Sequence, residues 1–166
     1  MKGTHESGVM KVDIILSNGF VLTELAGVVD VLRLANRVMD REMYKFRYVS
    51  PEAGKIVSSA ETWLEAHALP ENPDADIAVF LGNSDLNFTS REIENAVHKY
   101  RYVSAKVILL AEAAAIYISN NTEEGLGHTT HWENRLLLEE NSGLYDIAPS
   151  LAVSNDKVVT CAGLVS

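Results

Sequence analysis

Cysteine is almost absent: Cys161 is the single one in 166 residues. No internal disulfide framework can form, and a lone thiol fits a reducing cytoplasm, the location expected for this chain. No apolar run is long enough to cross a bilayer. The opening MKGTHESGVMK lacks the apolar stretch that a signal peptide needs. Internal repeats, low-complexity segments and linkers are missing too. Positive charge is scarce: 14 Lys and Arg stand against 23 Asp and Glu, a formal charge of −9. The basic residues are scattered, with at most local groups such as Lys99 and Arg101 flanking Tyr100. Phosphate neutralisation supplies much of the affinity of a nucleic-acid-binding domain, so this chain is not expected to touch DNA by itself. Solubility alone accounts for acidity of this size. What remains, 47% apolar and 22% charged residues, is the composition of one globular domain with a single core.

Lys11 to Ser17 reads as a short buried strand, a near-continuous apolar run that Asn18-Gly19 breaks. From Thr23, placed as an N-cap, the period changes. Leu25, Val28, Val29, Leu32 and Leu34 recur at helical spacing. Tyr44 to Ser50 alternates as a second strand. Residues 55–76 read as a short strand and then an irregular connection that Pro70 and Pro73 end. Asp76 to Asp85 is a buried strand opening into a loop. Thr89 to Tyr100 is an amphipathic helix with Ile93, Ala96, Val97 and Tyr100 on one face and a capping box at Ser90. Ala105 to Leu110 is the next strand, Ala111 to Ser119 the next helix, and residues 131–140 a further one. Leu151 to Gly163 reads as a hairpin around Asn155-Asp156. Strands separated by helices predict a mainly parallel sheet covered on both faces, a three-layer α/β/α sandwich. Ligands of such sheets bind outside the carboxyl ends of the strands. Three strand exits therefore matter: Gly19 to Glu24, Leu81 to Asp85, and Leu110 to Ala113.

Few residues at those exits carry chemistry. Glu24 opens a helix, where the helix dipole favours its charged form and burial opposes it. The residues by themselves favour an ordinary first-turn acid. Glu112 follows a strand directly and has the same two readings, a general base or nucleophile against a first-turn acid. Near Glu133, His128 and His131 stand three apart and invite a zinc reading, but a site needs a third ligand in matched geometry and no cysteine cluster or second histidine pair exists, so no metal is expected. His131 is instead suited to act as the base of a nucleophile–histidine pair. Cys161 ends an apolar strand, where lone cysteines are usually buried and inert. A reactive thiol would want a helix amino terminus and a nearby cation.

Taken together, GFVLTELAGVVDVLRLANR (residues 19–37), VFLGN (79–83), VILLAEAAAIY (107–117) and GLGHTTHWENR (125–135) resemble the ThiJ/PfpI superfamily in order and spacing. That superfamily has the class I glutamine-amidotransferase-like, flavodoxin-like fold. The nearest likeness is to the amino-terminal domains of AraC-type transcriptional regulators of the GlxA kind. In catalytic relatives a cysteine occupies the turn after the central strand, followed by a small residue and then glycine. A histidine lies about twenty positions on, and a glutamate comes from the first strand exit. The resemblance places Glu24 at the glutamate position, His131 at the histidine, and Gly82-Asn83 at the paired-glycine loop. The nucleophile position, however, is Ala111, and the glycine position is Ala113.

A methyl group cannot attack a carbonyl, so losing the nucleophile removes the covalent route outright. Glu112, one position along, is expected to point away from the vacated place. The resemblance thus implies a non-catalytic, ligand-sensing and dimerising domain without cofactor or metal. Its pocket would be drawn from Glu24, Gly82, Asn83, Ala111, Glu112, His131 and Trp132. The implied partners are a small-molecule effector such as a nitrogenous metabolite, a second copy of the chain, and DNA only through a helix-turn-helix domain downstream. Residues 1–166 are expected to stop short of the sensor domain's last helix. A cationic effector would want an aromatic cage, for which Trp132 and then Trp63 are candidates. The competing expectation is a hydrolase, hydratase or lyase of the superfamily that uses Glu112 or Cys161 with His131.

Overall fold

The computed structural model describes residues 8–83, 90–103, 105–121, 127–131, 134, 138 and 150–163. Strand β1 (Met10–Ile15) leads into helix α1 (Leu22–Val38) and strand β2 (Tyr44–Ser50). A hairpin of β3 (Gly54–Val57) and β4 (Trp63–Ala68) follows, then β5 (Ile77–Phe80) and α2 (Ser90–Tyr102). Strand β6 (Lys106–Leu110) runs directly into α3 (Ala111–Asn120), and the hairpin β7 (Ala152–Asn155) and β8 (Val158–Cys161) comes last. The eight strands form one sheet in the order β3-β4-β2-β1-β5-β6-β8-β7. The six strands from β4 to β8 in that order run parallel, and β3 and β7 add antiparallel edges.

Strand alternation decides which helix covers which face. Val12, Ile14, Leu16, Val79 and Leu81 cluster with Leu25 of α1, and Val28, Val29 and Leu32 pack against them. The intervening residues Ile15, Ala78, Phe80, Val107 and Leu109 join Tyr100 and its neighbours on α2 and Ala113, Ala114 and Tyr117 on α3. Of the helices α1 to α3, one therefore lies on one face and two on the other. This is the three-layer α/β/α sandwich that the alternation of elements predicts. Among the described residues no helix is long and apolar enough to cross a membrane.

A charged residue sits inside the apolar β1. Asp13 is 1% exposed, and a buried carboxylate is tolerated only when paired and hydrogen-bonded. Its register partner on β2 is Arg47, whose Nε and Nη2 donate to the two carboxylate oxygens at 2.6 and 3.1 Å. The Tyr100 hydroxyl of α2 donates a third bond at 2.7 Å. Burial first, then the adjacent carboxylate, pushes the Tyr100 phenol well above its usual range, so it remains a donor. Arg47 also bonds Asp74, which takes Lys11 in turn. The cluster ties β1, β2 and α2 together at the amino ends of the strands, opposite the exits that matter for function.

Three local expectations change. The N-cap of α1 is Val21, with no side-chain cap, and Thr23 lies inside the helix. No side chain caps this end; instead Val21 N donates to the Gly82 carbonyl at 3.1 Å, which positions the helix start from the sheet. Ser90 is the first residue of α2 rather than the residue before it. The connection after β3 is not irregular: Trp63 to Ala68 forms β4, closed by Ser58 N donating to the Thr62 carbonyl at 2.7 Å. β4 escapes a sequence pattern because most of its residues are exposed and Ala66 alone is buried, so pairing rather than burial defines it. The helix expected over residues 131–140 lies mostly outside the described residues.

Tyr100→Phe leaves the shape intact and removes one donor to a buried charge. Urea unfolding should show a loss of about 1.5–3 kcal/mol, the usual worth of a hydrogen bond to a charged group. Unchanged stability would mean that Arg47 alone satisfies Asp13.

Candidate functional site

β1, β5, β6 and β8 all deliver their carboxyl ends to one place. Gly82 follows β5, Ala111 follows β6 without an intervening loop, and Gly163 follows β8 by two residues. Glu24 enters from the first turn of α1. The exits of β1 and β5 are braced together. Phe20 bridges to Asn83, and the Asn83 side-chain amide donates to Ser17 Oγ and to the Asn18 carbonyl. Asn83, expected as a pocket wall, thus directs its amide at the loop after β1.

Ala111 holds the elbow. Its φ is +42°, between Leu110 in extended conformation and the helix that Ala111 begins. A left-handed backbone costs a residue with a Cβ about 1–2 kcal/mol, and such strain persists only where the surroundings enforce it. Here Thr130 Oγ1 donates to the Ala111 carbonyl at 2.8 Å, and the residue is 4% exposed. A sharp strand-to-helix turn therefore stands at this exit, and it presents a methyl.

The glycines record how tightly the surroundings close on it. A Cβ on Gly82 would meet Glu112 Oε2, Glu24 Oε2 and Ala111 Cβ, the last at 3.2 Å. A Cβ on Gly163 (φ +95°) would come within 3.2 Å of both Ala111 Cβ and Glu24 Oε1, with His131 Cδ2 at 3.9 Å. Glu24, Ala111, Glu112 and His131 are therefore neighbours around the two glycines. The expectation that Glu112 points away is corrected. Its Oε2 turns toward Gly82, because the left-handed turn at Ala111 redirects the first turn of α3 and the missing side chain at Gly82 leaves room. Glu112 Oε1 lies 3.4 Å from Asn134 Nδ2, while Oε2 is buried without a hydrogen-bond partner.

Glu24 is 3% exposed and accepts the Gly82 amide hydrogen bond at 2.7 Å. Burial is the largest influence and raises its carboxyl above the usual range. The Gly82 bond and the nearby His131 work against this, and the Glu112 charge reinforces it. Cys161 is half-buried, and burial followed by the Glu24 charge pushes its thiol up. That is the opposite of what an activated thiolate needs. His128 packs edge-on to Tyr117 with ring centroids 5.9 Å apart, and burial lowers its imidazole, as befits a neutral packing residue.

An apolar groove of about 400 Å³ opens beside Glu24, Cys161 and Gly163 and runs between α1 and the sheet, along Val28, Leu32 and Ile108. Trp63 lies elsewhere: it is 58% exposed on β4, with Lys55 Nζ 5.0 Å above its ring. Trp132 and Glu133 fall outside the described residues. Among the described residues no group of three or more His, Cys, Asp or Glu is arranged to hold a metal ion. Sequence reasoning passed over Thr130 and Gly163 as parts of the site. The signal for Gly163 was its place just after a strand, where close backbone approach calls for glycine. The signal for Thr130 was its place directly before His131 in the segment that carries the resemblance.

No family model matches the chain, and no curated protein matches it. Solved structures do. An AraC family transcriptional regulator from Pseudomonas putida superposes with a TM-score of 0.78 at 20% identity, over 93% of this chain and 84% of that one. A ThiJ/PfpI domain protein from Brachyspira murdochii gives 0.74 at 15% identity, over 94% and 89%. A DJ-1 superfamily protein from Agrobacterium tumefaciens gives 0.70 at 19% identity, over 93% and 82%. The chain has the flavodoxin-like α/β fold of the ThiJ/PfpI and DJ-1 proteins, the fold that the sequence resemblance predicts.

Gly82→Ala tests how closely the carboxylates approach this backbone. Forcing a methyl group into that contact should cost about 1–3 kcal/mol in urea unfolding. Adding Glu112→Ala should recover part of the loss, because it removes the atom that lies nearest. Strictly additive effects would mean that Glu112 does not occupy the space beside Gly82.

Proposed function

We propose that the chain is a non-catalytic, ligand-sensing and dimerising domain of an AraC-type transcriptional regulator, one that acts on DNA through a different domain. One observation carries this reading. The strained elbow at Ala111 keeps the backbone of a nucleophile site, with Glu24 and His131 beside it, but holds no atom that can form a covalent intermediate. The likeness to the Pseudomonas putida regulator supports it, as does a net charge of −9, which disfavours direct contact with DNA. The fold alone does not decide between a regulator and an enzyme. Cys161, with its thiol pushed up, is a poor substitute nucleophile. An enzymatic alternative would have to run through Glu112 with His131.

A ligand acts on such a domain only by preferring one conformation or dimer arrangement over another. The outer face of α1 carries Val31, Leu34 and Val38, all exposed, and these are the residues we assign to self-association. The close packing about Ala111 also favours a second reading, a plain interaction module whose former pocket is filled.

A thermal-shift screen against small metabolites separates these readings. A ligand that binds only the native state raises its midpoint, by an amount equivalent to about 2.7 kcal/mol at a hundred times its Kd. We expect such a ligand, and no turnover from the native protein or from Ala111→Cys, since Ala113 and Asn83 also depart from the catalytic pattern. Turnover by either protein would contradict the non-catalytic assignment, and a screen without any stabilising ligand would favour the interaction module. In sedimentation, Leu34→Glu should shift a dimer toward monomer. A native protein that is monomeric at high concentration would remove the claim of self-association.

A further inference from the structure

Two carboxylates converge on one glycine in this fold, and only one of them has its hydrogen bonds arranged. Glu24 Oε2 takes the Gly82 amide hydrogen, while Glu112 Oε2 is buried with none. Both oxygens lie within 3.0 Å of the point where a Gly82 side chain would begin. Two like charges so close together in a poorly solvated place cannot both be held cheaply, and one of them takes up a proton instead. We propose that Glu24 and Glu112 form a proton switch: Glu24 keeps its proton above the pH at which an isolated carboxyl loses it, and the pair sheds that proton as the pH rises.

The assignment to Glu24 follows from its surroundings. It is the more deeply buried of the two, at 3% exposure. The groups that face it are Glu112 from α3, His131 from the segment before residue 132, Cys161 from β8, and the Gly82 amide from the exit of β5. The start of α1 adds its dipole, worth about 0.3–1 kcal/mol in favour of the charge. The Gly82 bond and His131 act in the same direction, yet burial outweighs them and the Glu112 charge adds to burial. The Gly82 bond does not need the charge, because a protonated carboxyl still accepts through its other oxygen.

The consequence is a pocket whose chemistry changes with pH. With the proton in place, Glu24 offers an O–H donor suited to a carbonyl or carboxylate oxygen. Without it, the same space presents two negative charges and suits a cationic group. The switch goes beyond the sensing role and does not depend on it, since the proton count belongs to the protein alone.

The full chain, labelled with ¹³C at the Glu carboxyl carbons, tests this by NMR titration. One carboxyl signal should titrate well above the ordinary value of about 4.3. That signal should be lost in Glu24→Gln and move back down in Glu112→Gln. If every Glu signal completes its titration by about pH 5.5, the switch does not exist; the wild-type titration decides this even if a variant fails to fold. Thermal unfolding supplies an independent reading. A carboxyl raised in the folded state contributes its full stability below its unfolded value and loses it as pH rises through the folded one. The midpoint of Glu112→Gln should therefore gain on the wild type by about 2–4 °C between pH 5 and pH 8. A gap that stays constant over that range would overturn the proposal.

Discussion

The hydrogen bond from the Gly82 amide to Glu24 holds the functional end of this molecule together. It is 2.7 Å long and joins the first turn of α1 to the exit of β5, two segments 58 residues apart in sequence. Val21 N donates to the Gly82 carbonyl, so both polar groups of one glycine are spent on the same junction. With α1 fixed in this way, its acidic first turn lies over the elbow after β6, and Gly163 closes in from β8. Buried backbone groups must be paired, and here the pairing also builds the pocket.

Under the proposed function, the elbow suits this architecture to binding rather than turnover. A left-handed turn at a residue other than glycine is a standing cost, maintained by the Thr130 hydroxyl and by close packing. In an enzyme that cost serves to present an attacking atom. Alanine in the position keeps the strain and supplies no attacking atom of its own. What the turn still does is steer Glu112 toward Gly82, so that two carboxylates stand where a thiol and a carboxylate would be expected. Recognition in the site then rests on hydrogen bonds and charge, both of which respond to a proton.

The amount of this that the sequence revealed depends on how local the determinants are. The apolar runs of β1, β5 and β6 marked them as buried strands of a sheet covered on both faces, and their residues do divide between two clusters. The hairpin of β7 and β8 was legible in its turn. β4 was not, because its residues are mostly exposed and its partners lie elsewhere in the chain. At the site, the spacing of Glu24, Ala111 and His131 was visible, but the burial of Glu24 was not, and composition favoured an ordinary surface acid. The direction of Glu112 was misjudged because it depends on one backbone angle at Ala111 and on an absent side chain at Gly82. Asp13 was a missed signal of another kind. A carboxylate within KVDII has to find partners, and it finds them in Arg47 and Tyr100, the latter 87 positions away.

The proposed function requires this pocket to hold a small molecule and leave it unchanged. The most direct measurement follows the amide resonances of Glu24, Gly82, Ala111 and Gly163 while a stabilising metabolite is titrated in, and watches the metabolite's own signals for hours afterwards. A sensing pocket gives saturable shifts at those amides and a ligand recovered chemically intact. Steady conversion of the ligand, abolished by Glu112→Gln or His131→Ala, would contradict it.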